Sequence, residues 1–283
     1  MMATPTTDEL VQADAELWCH TFAYLKSMAL QSAIKLGIPT AIHRCGGAAS
    51  LSVTYRLRHS LSLQANGHAY VSRLMKLLTV SGIFKEGEPG VYCLTPVPRL
   101  LVDDDAVVVD GGGDDTACQS QFTVAATSPF HFAASQRLPE WLQSEDDHAA
   151  AETPFMMAHG AGFFGVAGRD LEFGALFNES MAADSRFVVE ILARRCGGTF
   201  AGVTSVVDVG GGDGTTAKAI AKAFPHARCS VLKLAQVVDK VPVHGTVEFV
   251  AGDMMKFVPP ADVVLLKDKI CVRAIRTNMR TYG

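Results

Sequence analysis

Residues 206–217, VVDVGGGDGTTA, set an unbroken apolar run directly before Gly210, Gly211, Gly212 and Gly214 and a helix-forming stretch directly after them. Glycines at such a junction let the backbone turn tightly and come close to a ligand, while the following helix N-terminus offers unpaired N–H groups and a positive dipole end. The strand before and the helix after argue against a merely flexible loop. The same alternation continues with TSVVDVG as strand, TTAKAIAKAF as helix, and RCSVLKL, VEFVAGD and ADVVLLK as further strands. Strand runs this uniformly apolar belong in a parallel sheet covered on both faces, so the expected fold is α/β.

Two ligand classes compete for the turn. Gly212-x-Gly214-x-x-Ala217 fits a dinucleotide, and Lys233, about 20 residues on, is placed to meet the 2′-phosphate of NADP. Asp213 argues against it, because a carboxylate inside the turn would face a pyrophosphate. S-adenosylmethionine carries no phosphate and brings an ammonium and a sulfonium, which tolerate a nearby negative charge; Asp208, just before the turn, points the same way. The spacing favours the methyl donor and leaves the redox coenzyme open.

Upstream, residues 8–36 form a helical pattern with Trp18, Phe22, Leu25 and Ala29 on one face and Gly37 and Pro39 as its stop. So apolar a face at the start of a domain is read either as burial against a second chain or as ordinary core. A second helix over 70–80, a turn at Gly82 and a short extended stretch at 90–94 suggest a winged-helix unit. A DNA-binding role for that unit lacks a basic stripe, and the formal net charge of −4 has the wrong sign. The Asp- and Gly-rich segment 102–115 reads as a junction, giving expected domains of 1–115 and 116–283. A hydrophobic content of 48% with 19% charged residues excludes a disordered chain. The seven scattered cysteines show no metal-ligand spacing and read as reduced thiols. With an acidic N-terminus and no apolar run of roughly 20 residues, a cytoplasmic protein that binds neither membrane nor nucleic acid is expected.

Several stretches together carry a more specific signal: AELWCHTFAYLKSMALQSAIKLGIP, VSRLMKLLTVSGIF, FNESMAADS, VVDVGGGDGTTAKAIAKAFP, and VEFVAGDMM followed by ADVVLLK. In this order they resemble the plant small-molecule O-methyltransferases of the caffeic acid and flavonoid type, over nearly the whole chain up to about Lys267. The resemblance implies a Rossmann-like methyltransferase sheet behind a mainly helical, winged-helix-like dimerisation domain. It also implies a homodimer, S-adenosylmethionine as cofactor, no metal, and a phenolic substrate between the domains. Gly210 and Gly212 match the cofactor turn, with Asp208 before it. Asp253 and Met254 match a pair at the adenine end, an acceptor for the exocyclic amine beside a polarizable surface for the ring. Lys267 matches a lysine of the cofactor site, and Ser185 a hydroxyl near the methionine moiety. Phe155, Phe163, His159 and Met181, with Met156, Met157 and Phe164 beside them, form a candidate acceptor wall. Helical core is the commoner reason for such residues, and His159 reads as structural rather than catalytic.

Two departures stand out. Where the family has an Asp that accepts from both ribose hydroxyls, this chain has Lys233, which carries donors and no acceptor. That loss predicts a fall in cofactor affinity of roughly tenfold to a hundredfold. Where the family has its general-base His, this chain has Cys271, so no catalytic base is assigned. The four recognisable strands are the first of a longer sheet, leaving 261–267 as an expected edge. The C-terminal departure suggests a truncated gene model or a spliced product, and keeps open a second reading, a non-catalytic dimerisation partner of full-length relatives.

Overall fold

The computed structural model describes residues 5–51, 67–103, 118–144, 153–195, 198, 200–234 and 246–267. These fall into two compact units, Met1–Ala183 and Asp184–Gly283. The junction expected near 115 and Cys271 both lie outside the described residues.

The first unit opens with α1 (Thr7–Thr21), whose start is fixed by a reciprocal cap: Thr6 Oγ1 accepts from Glu9 N while Thr6 N donates to Glu9 Oε2. The single helix expected over 8–36 is instead broken at Phe22, and α2 (Ala23–Lys35) begins beyond it. Thr21 Oγ1 donates to the Leu17 carbonyl at 2.8 Å, a back-bond of the kind that bends helices at this position. Gly37, at φ +60°, then reverses the chain into α3 (Ile38–Arg44), with Pro39 in its first turn.

After β1 (Ala48–Ser50) comes α4 (Gly67–Val80), which buries Val71, Met75 and Leu78 along one stripe. Left-handed Gly82 leads into β2 (Phe84–Glu86), and left-handed Gly90 turns it back as β3 (Val91–Leu94). The three strands make an antiparallel sheet in the order β1-β3-β2. Helix and hairpin arrive as expected; β1, three residues without an apolar pattern, was not anticipated. Ala29, Ala33, Ile38, Ile42, Met75, Leu78, Phe84 and Tyr92 make the shared core.

Short helices α5 (Pro96–Arg99), α6 (Ser120–Ala126), α7 (Pro129–Gln136) and α8 (Leu138–Gln143) follow, then α9 (Pro154–His159) and α10 (Phe163–Arg169). The long α11 (Leu171–Arg195) carries the division between the units.

In the second unit β4 (Ser205–Val209), α12 (Thr215–Ala223), β5 (Arg228–Lys233), β6 (Val247–Ala251) and β7 (Val263–Leu265) realise the expected alternation. All strand pairs are parallel, in the order β6-β5-β4-β7. One face packs Val206, Cys229, Val231 and Val247 against Ala217 and Ile220 of α12; the other gathers Val207, Val209 and Leu232 under Val250, Met254 and Leu266. At the base of β7, Asp262 Oδ2 accepts from Thr204 N and Oγ1, both at 2.8 Å, and from Ser205 N at 3.0 Å. That clasp registers β7 against β4. Among the described residues no helix is long and apolar enough to cross a membrane.

Candidate functional site

The turn after β4 is held by its own backbone. Gly210 N donates across to the Leu232 carbonyl of β5 at 2.8 Å, Gly212 N to the Gly210 carbonyl, and Gly214 N to the Gly211 carbonyl. Gly210, Gly212 and Gly214 sit at φ +68°, +59° and +81°, a region costly for any residue with a Cβ. Gly211 is required for a different reason: the Asp208 carboxylate occupies the space its side chain would need. Asp208 itself is only 2% exposed. It therefore sits beneath the turn as part of its packing. Its charge, after burial, helps push the Cys229 thiol up.

Asp213 decides what charge the turn presents. Its Oδ1 accepts from Thr215 N at 3.0 Å and from Thr215 Oγ1 at 2.6 Å, while Lys218 Nζ donates to its carbonyl at 2.9 Å. Burial would raise the Asp213 carboxyl, but the Thr215 bonds and the Lys218 ammonium outweigh it and hold it below the ordinary carboxylate range. The first N–H of α12 is thus already satisfied by the chain's own anion. A pyrophosphate would meet a carboxylate there, whereas a sulfonium or ammonium would meet an attractive charge.

Around the turn, Lys233 ends β5 with its ammonium 5.7 Å from the centre of the Phe249 ring. Burial lowers the Lys233 ammonium below its ordinary value, Asp213 opposing and Lys218 reinforcing the shift. Asp253, in the turn after β6, accepts from Met255 N at 2.9 Å, with Lys256 Nζ 3.9 Å away. Met254 packs against the cluster of Val207, Val209 and Leu232, so core packing accounts for at least part of its side chain. Lys267 pairs with Asp184 at 2.6 Å, both one-fifth exposed, which brings the end of β7 to α11 beside Ser185. The sequence reading missed Asp184 and Phe249; only their contacts with Lys267 and Lys233 single them out.

In the first unit, Phe155, His159 and Phe163 come together. Phe163 lies 5.1 Å from Phe155, 5.2 Å from Phe173 and 4.5 Å from Phe177, and Phe155 lies 4.4 Å from His159. Met181 follows Phe177 by one turn of α11 and is half-buried. His159 Nε2 is 3.0 Å from the Phe130 carbonyl, a structural tether. His131, which the sequence reading passed over, bonds Ser128 Oγ through Nδ1, and burial pushes its pKa down, with the nearby His159 adding to the shift. Phe164 is 78% exposed. Among the described residues no group of His, Cys, Asp and Glu is arranged to hold a metal ion.

A parallel sheet with a glycine turn after its first strand, and a helical unit with a small antiparallel wing before it, define a Rossmann-like methyltransferase fold. Similar solved structures include a methyltransferase of calicheamicin biosynthesis, in a form with S-adenosylhomocysteine bound (TM-score 0.68, 24% identity, covering 90% of this chain and 70% of that one). The pyocyanin biosynthetic protein PhzM is another (TM-score 0.66, 26% identity, covering 90% and 71%). Family models match residues 18–104 as an O-methyltransferase dimerisation domain and 136–272 as an O-methyltransferase domain. A flavonoid O-methyltransferase-like protein of Oryza sativa subsp. japonica is 41% identical over 97% of this chain and 76% of its own length. The trans-resveratrol di-O-methyltransferase of Vitis vinifera is 38% identical over 92% and 69%. The chain belongs to the plant O-methyltransferase family, whose cofactor is S-adenosylmethionine. It spans about three quarters of the length of the rice relative.

The turn fits that cofactor: its glycines admit close approach, and Asp213 supplies charge of the right sign. At the end of β5 the donor set is the inverse of what ribose hydroxyls need to donate into.

Proposed function

We propose that this chain methylates a hydroxyl of a small phenol, of phenylpropanoid or flavonoid type, and does so as a homodimer. The observation that carries the acceptor class is the cluster of partly buried rings Phe130, Phe155, Phe163 and Phe177, packed around the buried Phe173 and suited to contact an aromatic ring. Relatives named for daphnetin in Secale cereale and for trans-resveratrol in Vitis vinifera support the same class. In this reading Gly210 and Gly212 admit the cofactor, Asp208 supports the turn, Asp253 and Met254 meet the adenine, and Ser185 and Lys267 lie toward the methionine end. Bound S-adenosylmethionine supplies an electrophilic methyl group. The protein's part is to hold the acceptor oxygen in line and to exclude water.

Proton removal is the weak point, because Cys271 stands where the family has its His. An ordinary thiol, near pKa 8.5, is not tuned for that task, and absence of a general base costs about 10² to 10⁴ in rate. A methyl-transfer assay on caffeic acid and flavonoids therefore gives slow turnover, unchanged in Cys271→Ala and raised in Cys271→His. No methylation of any phenol by Cys271→His would defeat the reading.

For the homodimer, the support is α1, which has no buried residue and leaves Leu10, Val11, Leu17 and Trp18 each more than half exposed. Light scattering of Leu17→Glu should give a monomer where the parent chain gives a dimer.

A further inference from the structure

The rings gathered around Phe163 include one polar atom whose chemistry the fold decides. His159 closes α9, and its ring lies 4.4 Å from that of Phe155 and 5.3 Å from that of Phe130. Its Nε2 is 3.0 Å from the Phe130 carbonyl, and a carbonyl can only accept. The proton of the neutral imidazole therefore sits on Nε2, and Nδ1 keeps a bare lone pair. Among the described residues no donor meets that lone pair: the N–H that follows it in the chain, that of Gly160, is spent on the Met156 carbonyl at 2.7 Å. Although it makes no hydrogen bond, Nδ1 is not sealed among the rings and remains open to solvent.

The other imidazole of the cluster, His131, has its ring 6.0 Å from Phe163 and is engaged differently. Ser128 Oγ lies 3.1 Å from its Nδ1, and the Ala125 carbonyl favours a proton on the ring while burial and His159 oppose one. His131 is thus drawn toward the start of its own helix, and His159 is the imidazole with a defined acceptor to offer. We propose that His159 accepts, through Nδ1, a hydrogen bond from an aromatic hydroxyl of the methyl acceptor, so that this wall takes hydroxylated rings ahead of ring ethers and unsubstituted rings. An ether oxygen has no hydrogen to give and would set one lone pair against another, and an unsubstituted ring would leave Nδ1 stripped of water with nothing in exchange. The proposal rests on the reading of the aromatic cluster as the acceptor wall and adds the functional group that the wall selects. No covalent bond forms or breaks at His159; its part is in specificity.

The test is calorimetry on the full chain at about pH 8, with S-adenosylhomocysteine present and three probes of one skeleton: 4-hydroxycinnamic, 4-methoxycinnamic and cinnamic acid. The hydroxy compound should bind about twofold to tenfold more tightly than the other two, which should bind alike. His159→Phe should erase that preference. His159→Asn, whose Oδ1 falls near the place of Nδ1 but whose side chain is too short to reach the Phe130 carbonyl, should restore part of it and so separates the acceptor from the tether. Circular dichroism verifies that the variants fold, and the preference of the parent chain stands as a test without them. A preference that survives in folded His159→Phe overturns the proposal, as does a folded His159→Asn that restores none of it. If the three probes bind alike and Phe163→Ala weakens all of them, the proposal alone fails. If no probe binds, or Phe163→Ala weakens none, the acceptor wall fails with it.

Discussion

Leu78 and Leu232 are both almost fully buried, yet they sit in very different surroundings. Leu78 is enclosed by α2, α4 and the small antiparallel wing, in one cluster that runs through the whole of that subdomain. Leu232 belongs to a thinner layer on one face of the parallel sheet, where Val207 and Val209 are its only fully buried companions among the described residues. β7, the outermost strand on its side of the sheet among the described residues, shows the same contrast, with Val264 42% exposed. An antiparallel wing can close its core with hairpins and adjacent helices, whereas a parallel sheet depends on layers brought from elsewhere in the chain. Stability and ligand chemistry are therefore drawn from unequal structural reserves.

The widest gap should come from deleting the same side chain in each place. Leu78→Ala is expected to cost about 4 to 5 kcal/mol and Leu232→Ala about 2 to 3 kcal/mol, because a thin layer collapses into the cavity more readily than an enclosed core. Both tryptophans, Trp18 and Trp141, lie in the first unit, so their fluorescence follows its unfolding in urea, while alkylation of buried Cys229 follows the second. Equal costs would remove the distinction. Gly214→Ala should be next, at about 2 kcal/mol, from the left-handed backbone and the pressure on Phe249. It should speed Cys229 labelling without moving the tryptophan signal.

Acid should separate the units by the smallest margin. His131 has a folded pKa below its unfolded one, so its contribution is complete above about pH 6.5 and is lost as pH falls through the folded value. Asp213 and Asp262 are also depressed, but from a carboxylate value, so theirs persists until pH falls below about 4. Lowering the pH should loosen the first unit before the second, and His131→Phe should delay that onset. The opposite order in fluorescence and labelling would show that other groups dominate.

Much of the second unit could be read directly, because β4 to β7 are apolar runs bounded by turn residues and α12 carries a clear apolar stripe. The break at Phe22 was hidden because no glycine or proline marks it; the hydroxyl of Thr21, bonded back to the Leu17 carbonyl, stands beside it without any pattern in the sequence. At the site, the glycine turn was legible from residue type and spacing, whereas Lys233 as a replacement for an acidic residue came only from the family resemblance. What Asp213 does was only half legible: its charge was plain, but its bond to Thr215 depends on the geometry of the turn. The Lys267–Asp184 pair and the Asp262 clasp join segments far apart in sequence, and no local pattern announces such meetings.

The carboxylate tucked under Gly211 has a bearing on how kinship among such proteins is interpreted. Any larger residue at that position would have to displace the Asp208 carboxylate, with or without a bound cofactor. A descendant that lost methyl transfer altogether would still be drawn to glycine there while that aspartate remained, so persistence of this glycine testifies to an intact sheet end before it testifies to chemistry.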